Sequence, residues 1–458
     1  MTDFLLLDFG TTSTKSVRVD AQTGTLSQPE AYSALANATG RAGRSEFDLQ
    51  QVHERFEQIC AYHYAQHPFE GIILCSEMHG FAILDEHDHP LTPYVSWKDE
   101  RSLETIRGQC AFDDVLDASG DAFKELTGMK PRPGFAPMNF LHIAREVSLP
   151  DAVRIVDLPG WLCRSSGHAT GYAHPTMLAG LAFYDVHHRR LAHPLVEDLQ
   201  RLSGVQIHLD KPADALEVAG YWAHSAGRVP IYVGIGDHQC SLLGAGLVER
   251  HTLSINLGTG AQVSTLEDKW TPQEAEMRPY FSGHMLNTIT HIPGGRALAE
   301  HVGFLGELSG DTDAIWQQLA AHTIDEIQTS SLQFSLSLFP GARGYANGGS
   351  IQNITEGKWT LNNYLCSLLR AFAGQYIDIL QLFDPAQKMR EVILSGGIAR
   401  RLPIVRQLIE VETPYAALGA TQIDESLLGL RTVAKAVHEE IELFQAQAEL
   451  GRDIDPID

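Results

Sequence analysis

Asp237 stands in Val233-Gly-Ile-Gly236-Asp237-His238-Gln239-Cys240, directly after an apolar strand-like run and before the small-residue stretch Leu243-Gly-Ala-Gly246. A carboxylate at a strand end is well placed for a cleft, where it can take the proton of a substrate hydroxyl while that oxygen attacks phosphorus. The same aspartate would serve equally well as a helix N-cap, and local sequence does not choose between the two. Two further segments offer a grip for phosphate. Asp8-Phe-Gly10-Thr11-Thr12-Ser13-Thr14-Lys15 and Asn256-Leu-Gly258-Thr259-Gly260 each follow an apolar run, place a polar residue two positions before a glycine, and continue into an alternating strand. Such a hairpin turn supplies backbone N–H groups and hydroxyls, and Asp8 at the strand end could hold Mg2+ directly or through water. One such turn alone reads equally as a polar hairpin. Its use twice favours a clamp on a phosphate chain from both sides.

Glu77-Met78-His79-Gly80 and Trp97-Lys98-Asp99-Glu100-Arg101 supply directed carboxylate, imidazole and guanidinium groups with an aromatic face, the set a polyhydroxylated ligand uses. Taken singly they read as a loop histidine and a solvated charge run. The dense Asp85-Glu86-His87-Asp88-His89 has no defensible metal-ligand spacing and reads as a solvated turn. His187-His188 and the glycosylation-like matches at Asn37 and Asn353 are read as ordinary surface. Neither a G-x-x-x-x-G-K-[ST] loop nor a well-placed G-x-G-x-x-G is present, so a hairpin has to be the phosphate binder.

The elements that must position these groups alternate in type. Strands are predicted at Gly71–Cys75, Phe81–Leu84, Pro230–Ile235 and Glu391–Leu394, and helices around Gln51–Tyr64, Pro137–Val147, Asn362–Leu382 and Leu402–Ile409, with a closing helical region over Ser426–Ala448. The repeated hairpin implies two duplicated α/β domains facing each other across a cleft. A length of 458 residues is ample for that. Lys and Arg number 34 against 57 Asp and Glu, a net charge of −23, so a broad basic face for nucleic acid or an anionic membrane is not expected. Six scattered cysteines without a C-x-x-C pair suggest reduced thiols. The acidic, quickly interrupted N-terminus lacks signal-peptide character, and no apolar run would span a bilayer. A soluble cytoplasmic protein is expected.

Taken in order and spacing, Asp8–Lys15, Glu77–Gly80, Trp97–Arg101, Gly236–Gln239, Asn256–Gly260 and Leu394-Ser-Gly396-Gly397 resemble the FGGY family of carbohydrate kinases over nearly the whole chain. The resemblance implies two ribonuclease-H-like domains of the actin-like ATPase type flanking a central cleft. The division would be 1–245, carrying the sugar site and first phosphate hairpin, and 246–458, carrying the ATP site, with the last helix able to pack back on the first domain. By that likeness Asp237 is the catalytic base and Asp8 with Asp237 holds Mg2+. Gly10, Thr11, Thr12, Ser13, Lys15, Gly258, Thr259, Gly260, Gly396 and Gly397 meet ATP; Glu77, Met78, His79, Trp97, Asp99, Arg101, Asp237 and His238 meet the sugar. The expected partner is a small sugar, with a homodimer left open.

The wording Gly236–Ser241, Pro279–Gly283 and Gly294-Gly295-Arg296 looks most like the sedoheptulokinase branch and next like xylulokinases. Departures are Glu77, where the family often has Gln, Pro137-Met138-Asn139 in place of a Pro-Lys pair, and a second domain abbreviated around Pro340–Gly344. A catalytically silent sugar sensor and an actin-like assembly or chaperone ATPase are the rivals from other classes.

Overall fold

The computed structural model describes residues 3–10, 13–225, 227–271, 275–338, 348–419 and 422–452. Thr11 and Thr12 of the first phosphate turn, and the abbreviated 340–344 stretch, lie outside the described residues.

The chain builds two mixed sheets on one plan. In the first, strand Asp3–Phe9 pairs antiparallel with Ser13–Asp20 on one side and parallel with Gly71–Ser76 on the other, and Gly227–Tyr232 and Val218–His224 continue the sheet. In the second, Thr252–Leu257 pairs antiparallel with Gly260–Glu267 and parallel with Glu391–Ser395, with Met285–Pro293 and Glu276–Pro279 on one flank and Ala416–Leu418 on the other. Asp8 and Asn256 therefore occupy equivalent places, each beside the end of a parallel neighbour: Asp8 opposite Cys75, Asn256 opposite Ser395.

Strand Asp3–Phe9 is buried on both faces, as a strand with a parallel neighbour and helices above and below must be. Its period of two sorts the side chains: Leu5, Leu7 and Phe9 join the core under helix Leu49–Gln66, while Phe4 and Leu6 join the core under helix Glu425–Glu439. Asp8 falls on the second face, and that is why a residue from the end of the chain reaches it. Helix Glu425–Glu439 lies on strands Asp3–Phe9 and Gly71–Ser76 and most closely on helix Asp237–Gly244. The contact depends on glycine. A Cβ on Gly244 would sit 1.9 Å from the Glu425 carbonyl oxygen, and one on Gly429 would sit 2.0 Å from that of Cys240.

Helix Leu49–Gln66 starts where the Asp48 carboxylate accepts the Gln50 N–H, and it buries Val52, Phe56, Ile59, Cys60 and His63 at helical spacing. The second sheet is covered by helix Leu361–Phe383, capped by Thr360 and anchored by fully buried Tyr376, whose hydroxyl donates to the Pro293 carbonyl at 2.7 Å. The two halves share apolar cores: Tyr280, Phe281 and Leu286 pack with first-sheet residues, and Met277 and Met285 pack with Leu178 and Tyr184. No helix among the described residues is long and apolar enough to cross a membrane.

Candidate active site

Where the sheets meet, a cavity of about 220 Å3 is lined by residues of both. Glu77, Met78 and His79 enter it from the turn after strand Gly71–Ser76, Trp97 from a following loop, and Asp237 and His238 from the start of helix Asp237–Gly244. Six of the sugar-site residues expected from sequence therefore come together. Asp99 and Arg101 do not join them. Asp99 is fully buried, accepts the Ser45 N–H at 2.8 Å, and holds the Arg101 guanidinium through both carboxylate oxygens. Arg101 also pairs with Glu46. Asp99 and Arg101 are thus a buried brace for the loop that carries Trp97, outside the cavity, while Lys98 and Glu100 between and beside them are exposed. Asp99→Ala leaves the Arg101 charge with Glu46 alone and is expected to lower stability by about 3 kcal/mol, read from the urea midpoint. A raised sugar KM at unchanged stability would instead put Asp99 in contact with ligand.

Asp237 is not an N-cap. Gly236 occupies that position without a side-chain cap, and Asp237 is the first helical residue, its Oδ1 accepting the His238 N–H at 2.7 Å. Burial, then the negative charge of Asp8, push its carboxyl up to about 7. Were Asp237 to act as a base, it would be active only when deprotonated, and kcat/KM should then fall about tenfold per pH unit below 7 and level off above it. A rate flat from pH 5 to 8 would rule this titration out.

His79 has a left-handed backbone (φ 74°), stacks on Phe135, and its Nδ1 lies 2.7 Å from the Gly180 carbonyl oxygen. A carbonyl only accepts, so Nδ1 carries the proton and Nε2 remains an acceptor. Burial, then the charges of Arg278 and Arg132, hold this imidazole well below its ordinary value. His238 is pushed down to about 3 by burial and Arg278, and neither of its ring nitrogens has a hydrogen-bond partner among the described residues.

The rest of the lining was missed from sequence: Arg132, Gly134 and Phe135 from the first domain, Gln262, Arg278, Thr290 and His291 from the second. Gly134 is readable afterwards, since a Cβ there would sit 2.0 Å from the Trp97 carbonyl oxygen. Thr290 and His291 are adjacent yet both reach the cavity because the ladder slips there. Ala261 pairs Ile292 and Val263 pairs Ile289, leaving Gln262 opposite two residues, with His291 at φ 60°. A bulge of this kind re-aims side chains.

A chain of contacts links this cavity to the glycine turns. The Ser426 hydroxyl lies 2.7 Å from an oxygen of Asp8 and 2.7 Å from one of Asp424. Lys15 pairs with Asp424 at 2.6 Å and Asp8 at 3.5 Å. The neighbouring Glu425 accepts the Gly396 N–H at 3.0 Å. Gly396 has φ 91°, and a Cβ on it would sit 2.7 Å from the Leu257 carbonyl oxygen, just before the Gly258-Thr259-Gly260 turn. Gly397 opens the helix Gly397–Arg401. The turn is braced from its other side by the start of helix Gly295–Ser309, where Gly295 N–H donates to the Gly258 carbonyl and Arg296 N–H to that of Thr259. In the first turn, Gly10 N–H donates to the Ser13 carbonyl at 3.1 Å. The Asp85–His89 segment is an exposed turn, with Asp85 Oδ1 accepting the His87 and His89 N–H groups.

Residues 4–147 match the N-terminal domain of the FGGY family of carbohydrate kinases. That match spans the first third of the chain. The chain is also similar to a xylulose kinase of Staphylococcus xylosus, 22% identical over 302 residues, which are 63% of this chain and 60% of that protein. It is also similar to a gluconokinase of Bacillus subtilis, 23% identical over 301 residues, 60% of this chain and 54% of that protein. These matches span less than two thirds of either relative. The fold likeness is wider: a ligand-bound xylulose kinase from Lactobacillus acidophilus superposes with a TM-score of 0.82, covering 100% of this chain and 93% of the other at 16% identity. The two sheets together thus form the two-domain α/β sugar-kinase fold flanking a cleft.

Proposed function

We propose that this protein is an ATP-dependent carbohydrate kinase that transfers the γ-phosphoryl group of ATP to a hydroxyl of a sugar. The observation that carries the reading is Asp237: a carboxylate at a helix start, raised to about 7, lining a polar cavity and coupled through Asp8, Ser426 and Glu425 to the Gly396 and Gly258 turns. In the reaction the sugar hydroxyl donates to Asp237, which takes its proton as the oxygen attacks phosphorus. Gly258, Thr259 and Gly260, with the turn at Gly10 and Ser13 across the cleft, would face the phosphates. Gly396 and Gly397 border the adenosine.

Asp8 and Asp237 are hard oxygen donors, the charge of Asp8 acts on Asp237, and burial leads the rise in both. Among the described residues no group of three or more His, Cys, Asp or Glu could hold a metal. Two carboxylates suit a hard cation that takes its remaining ligands from water and phosphate, as Mg2+ does. Held by Asp8 and Asp237, Mg2+ would supply charge neutralisation on the transferring phosphate.

The wording of Gly236–Ser241, Pro279–Gly283 and Gly294–Arg296 supports a ketose acceptor. Sedoheptulose, converted to its 7-phosphate, is the first reading and xylulose the second. The test is coupled ADP release with Mg-ATP against sedoheptulose, xylulose, ribulose, gluconate and glycerol. Strong stimulation by one ketose is the expected result. ADP release indifferent to every sugar would point to an assembly ATPase, and sugar binding without turnover to a sensor.

A further inference from the structure

The two halves of the chain enclose a second pocket, of about 290 Å3, that shares no lining residue with the cavity around Asp237. The first half lines it with His174 at the start of helix Pro175–Gly180, with Tyr184 and Arg189 of the hairpin formed by strands Tyr184–Asp185 and Arg190–Leu191, and with Asp214 and Glu217 ahead of strand Val218–His224. The second half lines it with the turn around Phe281, between strands Glu276–Pro279 and Met285–Pro293. Arg189 donates to the Gly283 carbonyl at 2.5 Å and so ties the halves at this pocket. His174 is 3% exposed, and its hydrogen bonds fix where its proton lies. The Thr176 N–H donates to Nδ1 at 3.2 Å, so that nitrogen carries no proton; the Thr176 hydroxyl, 2.8 Å away, donates there too and accepts the Gly236 N–H at 3.0 Å. Burial pushes this imidazole down to about 3, so the ring is neutral and its one proton sits on Nε2, which has no hydrogen-bond partner among the described residues. The hydroxyl of buried Tyr184 has none among them either.

A buried donor without an acceptor is costly, and this pocket holds two of them together with two carboxylates. Asp214 Oδ1 accepts the Leu216 N–H at 3.0 Å and Glu217 Oε1 the Asp214 N–H at 3.2 Å, so each keeps a second oxygen. A ligand here has to bring acceptors for His174 and Tyr184 and donors for Asp214 and Glu217. An anion would meet two carboxylates against the single guanidinium of Arg189, and an ammonium ion would leave the His174 proton unmet. Hydroxyl groups both accept and donate. We propose that this junction pocket is a second ligand site, separate from the cavity around Asp237, for a neutral polyhydroxylated molecule held by His174 Nε2, the Tyr184 hydroxyl and the remaining oxygens of Asp214 and Glu217. Helix Pro175–Gly180 joins the two places: Thr176 holds the N–H of Gly236, the residue before Asp237, and the Gly180 carbonyl holds His79 Nδ1 at 2.7 Å.

The experiment is equilibrium dialysis of the full chain against radiolabelled xylitol, a neutral chain hydroxylated at every carbon, without nucleotide. The expected result is a saturable component that Glu217→Gln weakens by about tenfold or more and Tyr184→Phe by about threefold or more, since the first loses a charged acceptor and the second a neutral donor. Both variants should keep the wild-type Tm, because neither group they remove bonds to the protein except Glu217 Oε1, whose place the amide oxygen takes. Glu77→Gln, in the cavity around Asp237, should leave this component unchanged. Absence of saturable binding, or binding that Glu77→Gln weakens and the two pocket variants do not, would overturn the site. Inorganic phosphate should fail to displace the label; displacement at equal concentration would overturn the neutral class. Turnover enters none of these readings, so the site stands or falls independently of the kinase reading.

Discussion

Asp237→Ala lowers kcat by about 10²–10⁴-fold while Mg-ATP still binds, the range expected when a positioned general base is removed. Asp237→Asn is the sharper variant. It keeps the side-chain oxygen that accepts the His238 N–H and hence the start of helix Asp237–Gly244, but it has no carboxylate to receive a proton. Both variants should lose the acid limb near pH 7, because that limb is the titration of this one group, lifted by burial and by Asp8. The sugar KM should move less than kcat, since Glu77, His79 and the second-domain wall still line the cavity. The measurement is steady-state kcat over pH 5 to 9 with nucleotide affinity measured separately by titration. Near-normal kcat in Asp237→Asn would take the base role away from this residue.

What made Asp237 legible was its place after an apolar run and before a small-residue stretch. The structure shows both to be functional in a physical sense: the run leads to the strand end, and the small residues let helix Glu425–Glu439 approach to backbone contact at Gly244. The repeated hairpin was legible for the same reason. A Cβ would sit 3.1 Å from a turn carbonyl oxygen at Gly10 and 3.3 Å at Gly258, and the return strands alternate, so the pattern survives in sequence. Trp97 and His79 could be singled out by residue type.

Arg278, Thr290 and His291 could not. They reach the cavity only because two sheets meet there and because one ladder slips by a residue, and a bulge between Gln262 and Thr290-His291 leaves no periodic trace. The same limit explains Asp99 and Arg101. An acid and a base two positions apart look alike in sequence whether they face a ligand, water or each other, and burial decides among these. Ser426 is a further case, a residue on the closing helix whose contact with Asp8 spans almost the whole chain.

Asp8→Asn tests that long-range contact and the metal assignment together. The amide keeps the shape of the side chain and an oxygen for the Ser426 hydroxyl, and Lys15 retains Asp424 at 2.6 Å, so the hairpin should stay folded. What disappears is a buried negative charge. If that charge helps hold Mg2+ with the nucleotide, kcat/KM for Mg-ATP should drop by about 10–100-fold, and raising the Mg2+ concentration should recover part of the loss. A second consequence does not involve metal. The Asp8 charge is the largest cause after burial of the raised Asp237 value, so removing it must let Asp237 ionise more easily. The acid limb of the rate profile should therefore move below pH 7, toward the ordinary carboxylate range, even as the rate with Mg-ATP falls. A merely structural Asp8 would change stability without shifting that limb. The paired measurement is a Mg2+ titration of kcat/KM and a pH profile at saturating Mg2+; wild-type Mg2+ dependence together with an acid limb still near pH 7 would remove Asp8 from the site.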